Sequence, residues 1–346
     1  MSGGAARPTV LIASYLEPEH VVRIRAAAPE TEVLYEPSLL PLARYPADHY
    51  NTIERSTADE QRWRALLARA DVLFDFDHGH LADLPAVAPG VRWVQATSAG
   101  IGQLLRRTAL DRTDIVFTTA SGVHAVPLAE FAVFAMLYFA KQGPRMLEQQ
   151  RAHRWERFAG GELRGRTVAI VGLGKIGGEV ARLARALGLR VTGTSRSGTA
   201  ASPDWAVDLE RPLGELRLLL ADADYIVLAL PHTAETEGLI GAAELACMRP
   251  GAELVNVARG KVVDEPALVV ALRSGQLAGA ALDVFSQEPL PPESPLWDLP
   301  NVLVSPHSAS TADSENAKLT DLFCENLRRY RDGRPLLNVF DRVRGY

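Results

Sequence analysis

The sequence predicts an α/β protein built on two parallel sheets, and three observations carry that prediction. Eleven short, apolar, β-branched runs alternate with helix-length segments along the chain. A glycine-rich turn, from Gly172 to Gly177, ends the sixth of these runs near mid-chain. After the last run only about 40 residues remain, fewer than a domain that stands alone usually has.

The first five runs are TVLIAS (Thr9–Ser14), EVLY (Glu32–Tyr35), DVLFDF (Asp71–Phe76), VRWVQATS (Val91–Ser98) and DIVFTT (Asp114–Thr119). Six more follow: TVAIVG (Thr167–Gly172), RVTGTS (Arg190–Ser195), YIVLAL (Tyr225–Leu230), AELVNVA (Ala252–Ala258), GAALDV (Gly279–Val284) and VLVSP (Val302–Pro306). Short runs of this kind, separated by helical segments, read as βαβ units with parallel strands. Between the two groups lies the apolar stretch Ala125–Ala140, which contains Pro127 and Glu130. A bilayer-spanning helix needs about 20 apolar residues, so this shorter stretch is expected as a buried helix. The Pro-rich segment Glu288–Pro300 is expected as a loop. A last helix, around Ala312–Arg331, is expected to return to the first group. The fold class is therefore α/β, with two Rossmann-like or flavodoxin-like domains. Residues 123–309 form an inserted inner domain, and residues 1–122 with 310–346 form a discontinuous outer one.

Composition excludes several classes. Of the 346 residues 47% are hydrophobic and 23% charged, which is ordinary for a soluble globular chain. A net charge of −5 and a pI near 5.9 argue against a nucleic-acid partner. Cys247 and Cys324 are the only cysteines, which excludes a disulfide framework and a cysteine zinc site. The N-terminus lacks a basic-then-apolar leader, so no membrane association and a cytoplasmic location are expected.

The glycine pattern has the context that gives it meaning, because it ends a strand and opens a helix. Gly172 allows a tight turn, Gly174 lets backbone approach a pyrophosphate, and Gly177 permits close helix–strand packing. The helix is expected to bury Val180, Leu183 and Leu187 and to end at Gly188. A dinucleotide site selective for NAD carries an acidic residue at the end of the next strand. Here Ser195 takes that place, with Arg196 and Ser197 beside it. A hydroxyl and a guanidinium suit a 2′-phosphate, so NADP(H) is the expected cofactor, with NAD(H) still possible.

Three further residues sit at strand ends in the second half: Arg259 in NVARG, Glu288 in ALDVFSQEPL and His307 in SPHSA. An arginine can grip a carboxylate with two parallel hydrogen bonds. A histidine exchanges protons near neutral pH, and a neighbouring carboxylate favours its charged form. Together they fit reduction of a 2-oxo acid, with Arg259 orienting it and His307 protonating the developing alkoxide.

Five motifs in order, VGLGKIG (Val171–Gly177), LALPHTAETEGLI (Leu228–Ile240), LVNVARGKVVDE (Leu254–Glu265), ALDVFSQEPLP (Ala281–Pro291) and NVLVSPHSA (Asn301–Ala309), resemble the D-isomer-specific 2-hydroxyacid dehydrogenases. That family includes glyoxylate/hydroxypyruvate reductases, D-lactate dehydrogenases and phosphoglycerate dehydrogenases. The segment SGVHAVPLAEFA (Ser121–Ala132) resembles the family's crossover into the nucleotide domain, and the likeness spans about residues 90–330. The resemblance implies that Arg259 binds and polarises the 2-oxo acid, that His307 is the acid/base, and that Glu288 pairs with it. It implies cofactor contacts from Lys175, Ile176, Pro231, Thr236, Ala258 and Asp283, the last on the nicotinamide side. It also implies that Ser98, Ala99 and Gly100 help hold the substrate carboxylate. Formate dehydrogenases of the superfamily carry Gln at the Glu288 place, so formate is disfavoured. Two positions depart from the family pattern: Gly102, where an acidic residue is usual, and Phe131, where a His is usual.

The loop Asp75–Leu81 holds Asp75, Asp77, His78 and His80, yet no second ligand cluster accompanies it, so no metal is expected. It is read as a substrate-side loop in which His78 meets a polar or acidic substrate side chain. The basic stretch Arg151–Phe158 reads as a solvated, partner-facing helix end. The resemblance implies that this stretch and the apolar helix before it lie at a homodimer interface, and Trp155 is expected as an anchor there because aromatics are enriched in interface cores. Two alternatives share the fold: NAD-dependent oxidation of a D-2-hydroxy acid, and a non-catalytic, dinucleotide-sensing corepressor scaffold.

Overall fold

The structure is a computed structural model, and it describes residues 7–195, 205 and 207–346. The chain divides into two compact units, Met1–His124 with Thr311–Tyr346, and Ala125–Ser310.

The first unit holds five parallel strands, β1 (Thr9–Ile12), β2 (Glu32–Leu34), β3 (Val72–Phe74), β4 (Trp93–Gln95) and β5 (Val116–Thr118), in the order β2-β1-β3-β4-β5. Both faces are covered, as parallel sheets require, so alternate residues feed two separate cores. Leu11, Leu73, Val94 and Phe117 pack on Trp63 and Leu67 on one side. Val10, Ile12, Phe74 and Trp93 pack on Ile24, Leu319, Phe323 and Leu327 on the other. The last helix, Glu315–Arg331, thus returns to this first sheet. Its Phe323 ring meets Phe74 edge-on at 5.2 Å and stacks on Trp93 at 5.3 Å. A buried polar chain fixes its register: Trp93 Nε1 donates to Thr118 Oγ1 (2.8 Å), which donates to Gln95 Oε1 (2.9 Å), which also accepts from Asn326 Nδ2 (3.0 Å).

The second unit holds seven parallel strands: β6 (Thr167–Val171), β7 (Arg190–Ser195), β8 (Leu209–Pro212), β9 (Tyr225–Leu228), β10 (Ala252–Asn256), β11 (Leu277–Leu282) and β12 (Val302–Val304). Their order is β12-β11-β10-β9-β6-β7-β8. The winding reverses between β6 and β9, the place where open α/β sheets leave a crevice at their carboxyl ends. One face carries the helices Ala125–Ala140 and Lys175–Ala186; the other carries Leu216–Ala221, Ala242–Cys247 and Glu265–Ser274.

Three details differ from the sequence expectation. The strand β8, LERP, has no apolar run; it exists because its backbone pairs with β7 at the sheet edge. Leu187 is 37% exposed, because the helix ends at Ala186 and buries a face of small residues, Gly177, Gly178, Ala181 and Ala184. The helix Ala125–Ala140 is buried on one side only: Val126, Phe134 and Leu137 are exposed. Among the described residues no helix is long and apolar enough to cross a membrane.

Candidate active site

The glycine turn between β6 and the helix Lys175–Ala186 is built by steric necessity. Gly172 has φ +105°, and a Cβ there would lie 2.8 Å from the Ala229 carbonyl oxygen. At Gly177 a Cβ would sit 2.1 Å from the Gly172 carbonyl oxygen. Gly174 is different: nothing lies within 4 Å of where its Cβ would be, so the space over the turn is open. Gly174 is also the N-cap and brings no capping side chain, which leaves first-turn amides and the positive end of the helix dipole facing that space. Such an end is suited to a phosphate, and the turn therefore fits the diphosphate of a dinucleotide. Lys175 is exposed there and Ile176 half-buried.

At the next strand end the structure adds a residue that sequence reasoning missed. Ser195 Oγ donates to Glu210 Oε1, at 2.5 Å, across β7 and β8. Arg196 and Ser197 lie outside the described residues. Past β9, Thr236 is buried and ties its loop together, donating to the Pro231 carbonyl (2.8 Å) and accepting from Thr233 N–H (2.8 Å).

The chemistry-bearing residues follow β10, β11 and β12. Ala258 is buried just past β10; its N–H donates to Asn256 Oδ1 (3.0 Å), and its carbonyl accepts from Arg259 Nη1 (2.7 Å). Gly260 then passes so close to the next loop that a Cβ would lie 1.8 Å from the Phe285 carbonyl carbon. Only glycine allows this approach, which clamps the Arg259 loop against the loop carrying Glu288. The spacing of NVARG alone carries no sign of it.

Asp283, buried at the end of β11, holds the His307 loop. Its Oδ1 accepts from Ser305 Oγ (2.6 Å), Ser308 N–H (2.9 Å) and Ala309 N–H (2.9 Å). Burial lifts its carboxyl above the ordinary value, against the pull of those hydrogen bonds and the His307 charge. His307 itself takes φ +53°, a left-handed conformation uncommon in residues other than glycine. Its N–H donates to the Asp283 carbonyl at 2.9 Å, which helps hold that conformation.

Glu288 completes the group. Its Oε1 accepts from Phe285 N–H (3.0 Å), and its Oε2 lies 2.7 Å from His307 Nδ1. Burial raises this carboxyl, but the bonds from His307 and Phe285 N–H and the charges of His307 and Arg259 outweigh it. The net effect leaves Glu288 below its ordinary value. An ionised carboxylate only accepts, so His307 Nδ1–H is the donor and Nε2 is the ring nitrogen left for chemistry. The structure thus brings Arg259, Glu288 and His307 into one electrostatic group.

Ser98, Ala99 and Gly100 lie in the first unit, past the end of β4. There Ser98 Oγ accepts from Gly100 N–H (3.3 Å), and the Ser98 carbonyl accepts from Ala120 N–H (3.0 Å). The loop Asp75–Leu81 is bonded to the residues around it. Asp77 accepts from Trp63 Nε1 (2.8 Å), and His80 sits between Glu60 (2.8 Å) and Asp83 (3.1 Å). His78 lines a pocket with Ser14, His49, Arg55 and Phe76, at the carboxyl ends of β1 and β3. His49 bonds Ser14 Oγ (3.0 Å) and Asn316 Oδ1 (2.8 Å), a partnership no local motif signals. Among the described residues no group of three or more His, Cys, Asp or Glu is placed to hold a metal.

Residues 133–309 match the family model for the D-isomer specific 2-hydroxyacid dehydrogenase NAD binding domain. A glyoxylate reductase of Korarchaeum cryptofilum is 36% identical over 261 residues, covering 73% of this chain and 76% of the relative. A D-3-phosphoglycerate dehydrogenase of Archaeoglobus fulgidus is 32% identical over 280 residues; the match takes in 80% of this chain but about half, 51%, of that longer relative. Among solved structures, a D-isomer specific 2-hydroxyacid dehydrogenase from Xanthobacter autotrophicus Py2, in complex with NADPH and MES, has a TM-score of 0.78 and 33% identity. It covers 99% of this chain and 100% of its own. An NADPH-dependent glyoxylate/hydroxypyruvate reductase from Sinorhizobium meliloti, in complex with NADP and sulfate, has a TM-score of 0.77 and 27% identity over 98% of this chain and 100% of its own. The chain belongs to the D-isomer specific 2-hydroxyacid dehydrogenase family.

Proposed function

We propose that this protein reduces a 2-oxo acid to the D-2-hydroxy acid, with NADPH preferred and NADH accepted. The observation that carries the reading is the 2.7 Å contact of His307 Nδ1 with Glu288, beside Arg259, on loops at the carboxyl edge of the sheet that bears the glycine turn. The cofactor supplies a hydride when bound. Every other part belongs to the chain. The Arg259 guanidinium grips the substrate carboxylate and draws electron density from the 2-oxo group. His307 gives its Nε2 proton to the alkoxide as it forms, and Glu288 stabilises the imidazolium that makes the gift.

The exposed apolar face of Val126, Phe134 and Leu137, with Met146, Leu147 and the 97% exposed Trp155, supports a homodimer in which a second copy covers it. A single-chain mass in sedimentation equilibrium contradicts that assembly.

The NADP(H) complexes of the two related structures favour NADPH. Steady-state kinetics on glyoxylate and hydroxypyruvate with each cofactor tests this. The kcat/KM is expected to favour NADPH by about tenfold or less, which is about 1.4 kcal/mol of discrimination. A clear preference for NADH contradicts it.

A further inference from the structure

The end of β7 carries a carboxylate that does not come from β7. In the parallel register Gly193 pairs with Glu210 and Ser195 with Pro212. Side chains at 193 and 195 share one face of the sheet, and Glu210 on β8 shares it too. Leu173 of the glycine turn fills the space over Gly193, where a Cβ would lie 2.8 Å from its Cδ1, and the half-buried Glu210 on the neighbouring strand accepts the Ser195 hydroxyl hydrogen at 2.5 Å. The next residue, Arg211, turns its guanidinium to Glu215 (2.5 Å) and so away from Glu210. The glycine turn is tied to the same strand end, since Gly172 N–H and Leu173 N–H both donate to the Thr194 carbonyl at 3.0 Å. Ser195 and Glu210 therefore stand as one polar pair beside the dinucleotide turn.

The end of the second strand is where this fold reads the adenosine ribose. A carboxylate there accepts from a free 2′-hydroxyl and repels a 2′-phosphate. We propose that Glu210 is a specificity-determining residue for the adenosine ribose: from the neighbouring strand it supplies the carboxylate that β7 lacks, holding NADPH preference down and keeping NADH usable. The proposal rests on the reading of the glycine turn as a dinucleotide site.

Isothermal titration of the full chain with NADPH and with NADH tests it. Glu210→Gln keeps an acceptor for Ser195 and removes only the charge, so the strand pairing is preserved. In that variant the NADPH Kd is expected to tighten about tenfold while the NADH Kd weakens about threefold. Ser195→Ala leaves the charge in place, and there NADPH is expected not to tighten. An unchanged ratio of the two Kd values in Glu210→Gln, with the unaltered protein binding both, overturns the proposal and leaves the dinucleotide reading intact. Equal tightening of NADPH in Ser195→Ala also overturns it, because the cause is then not the charge. Binding of neither nucleotide to the unaltered protein overturns both.

Discussion

His307→Asn is expected to lower kcat for 2-oxo acid reduction by about 10³-fold, within the range that one positioned acid contributes. Asparagine is the informative replacement because position 307 sits at φ +53°, a conformation asparagine tolerates and alanine resists. The loop held by Asp283 then keeps its shape, and the change isolates the proton donor. NADPH affinity, read by titration, is expected to stay within about twofold, since the substitution removes no phosphate contact. Loss of NADPH binding in parallel with kcat would show that position 307 serves the fold. The pairing with Glu288 also sets a pH expectation. Because the folded Glu288 carboxyl lies below its ordinary value, it stays ionised as pH falls through about 4.3, where the unfolded group titrates. The pair therefore adds stability that is present above that pH and is lost only as pH drops through the lower folded value.

Arg259→Ala is expected to cost about 10³-fold or more in kcat/KM, with KM raised and kcat lowered together. Both parameters move because the guanidinium binds the carboxylate in the ground state and polarises the oxo group further as charge develops. Arg259→Lys is expected to recover little of this, since an ammonium cannot form two parallel bonds. The side chain is half-buried and bonds only the Ala258 carbonyl within the described residues, so the melting temperature is expected to move by a few degrees at most. A large drop in melting temperature would assign Arg259 to the fold.

Much of this was legible in the sequence because parallel sheets write themselves plainly. Both faces are buried, so each strand is a compact apolar run, and the glycine turn marks the switch point of the second sheet. The strand β8 escaped notice because LERP is held by backbone pairing and not by its side chains. Glu210 escaped with it, since its contact to Ser195 spans fifteen residues and two strands. His49 and Asn316 meet across 267 residues, a distance no periodicity reports. Gly260 reads as an ordinary loop glycine until the Phe285 backbone is seen beside it. The residues proposed for catalysis were nameable because each follows a strand within a few positions, and strand ends are where the topology collects ligands.

Hydride transfer to a 2-oxo acid, with the proton drawn from the chain, is the proposed reaction. The most direct measurement is the loss of NADPH absorbance with glyoxylate, hydroxypyruvate and phenylpyruvate, with the product analysed by chiral chromatography. NADPH consumption matched mole for mole by a D-2-hydroxy acid is the expected result. A protein that binds NADPH but turns over none of these acids, or yields the L-isomer, contradicts it.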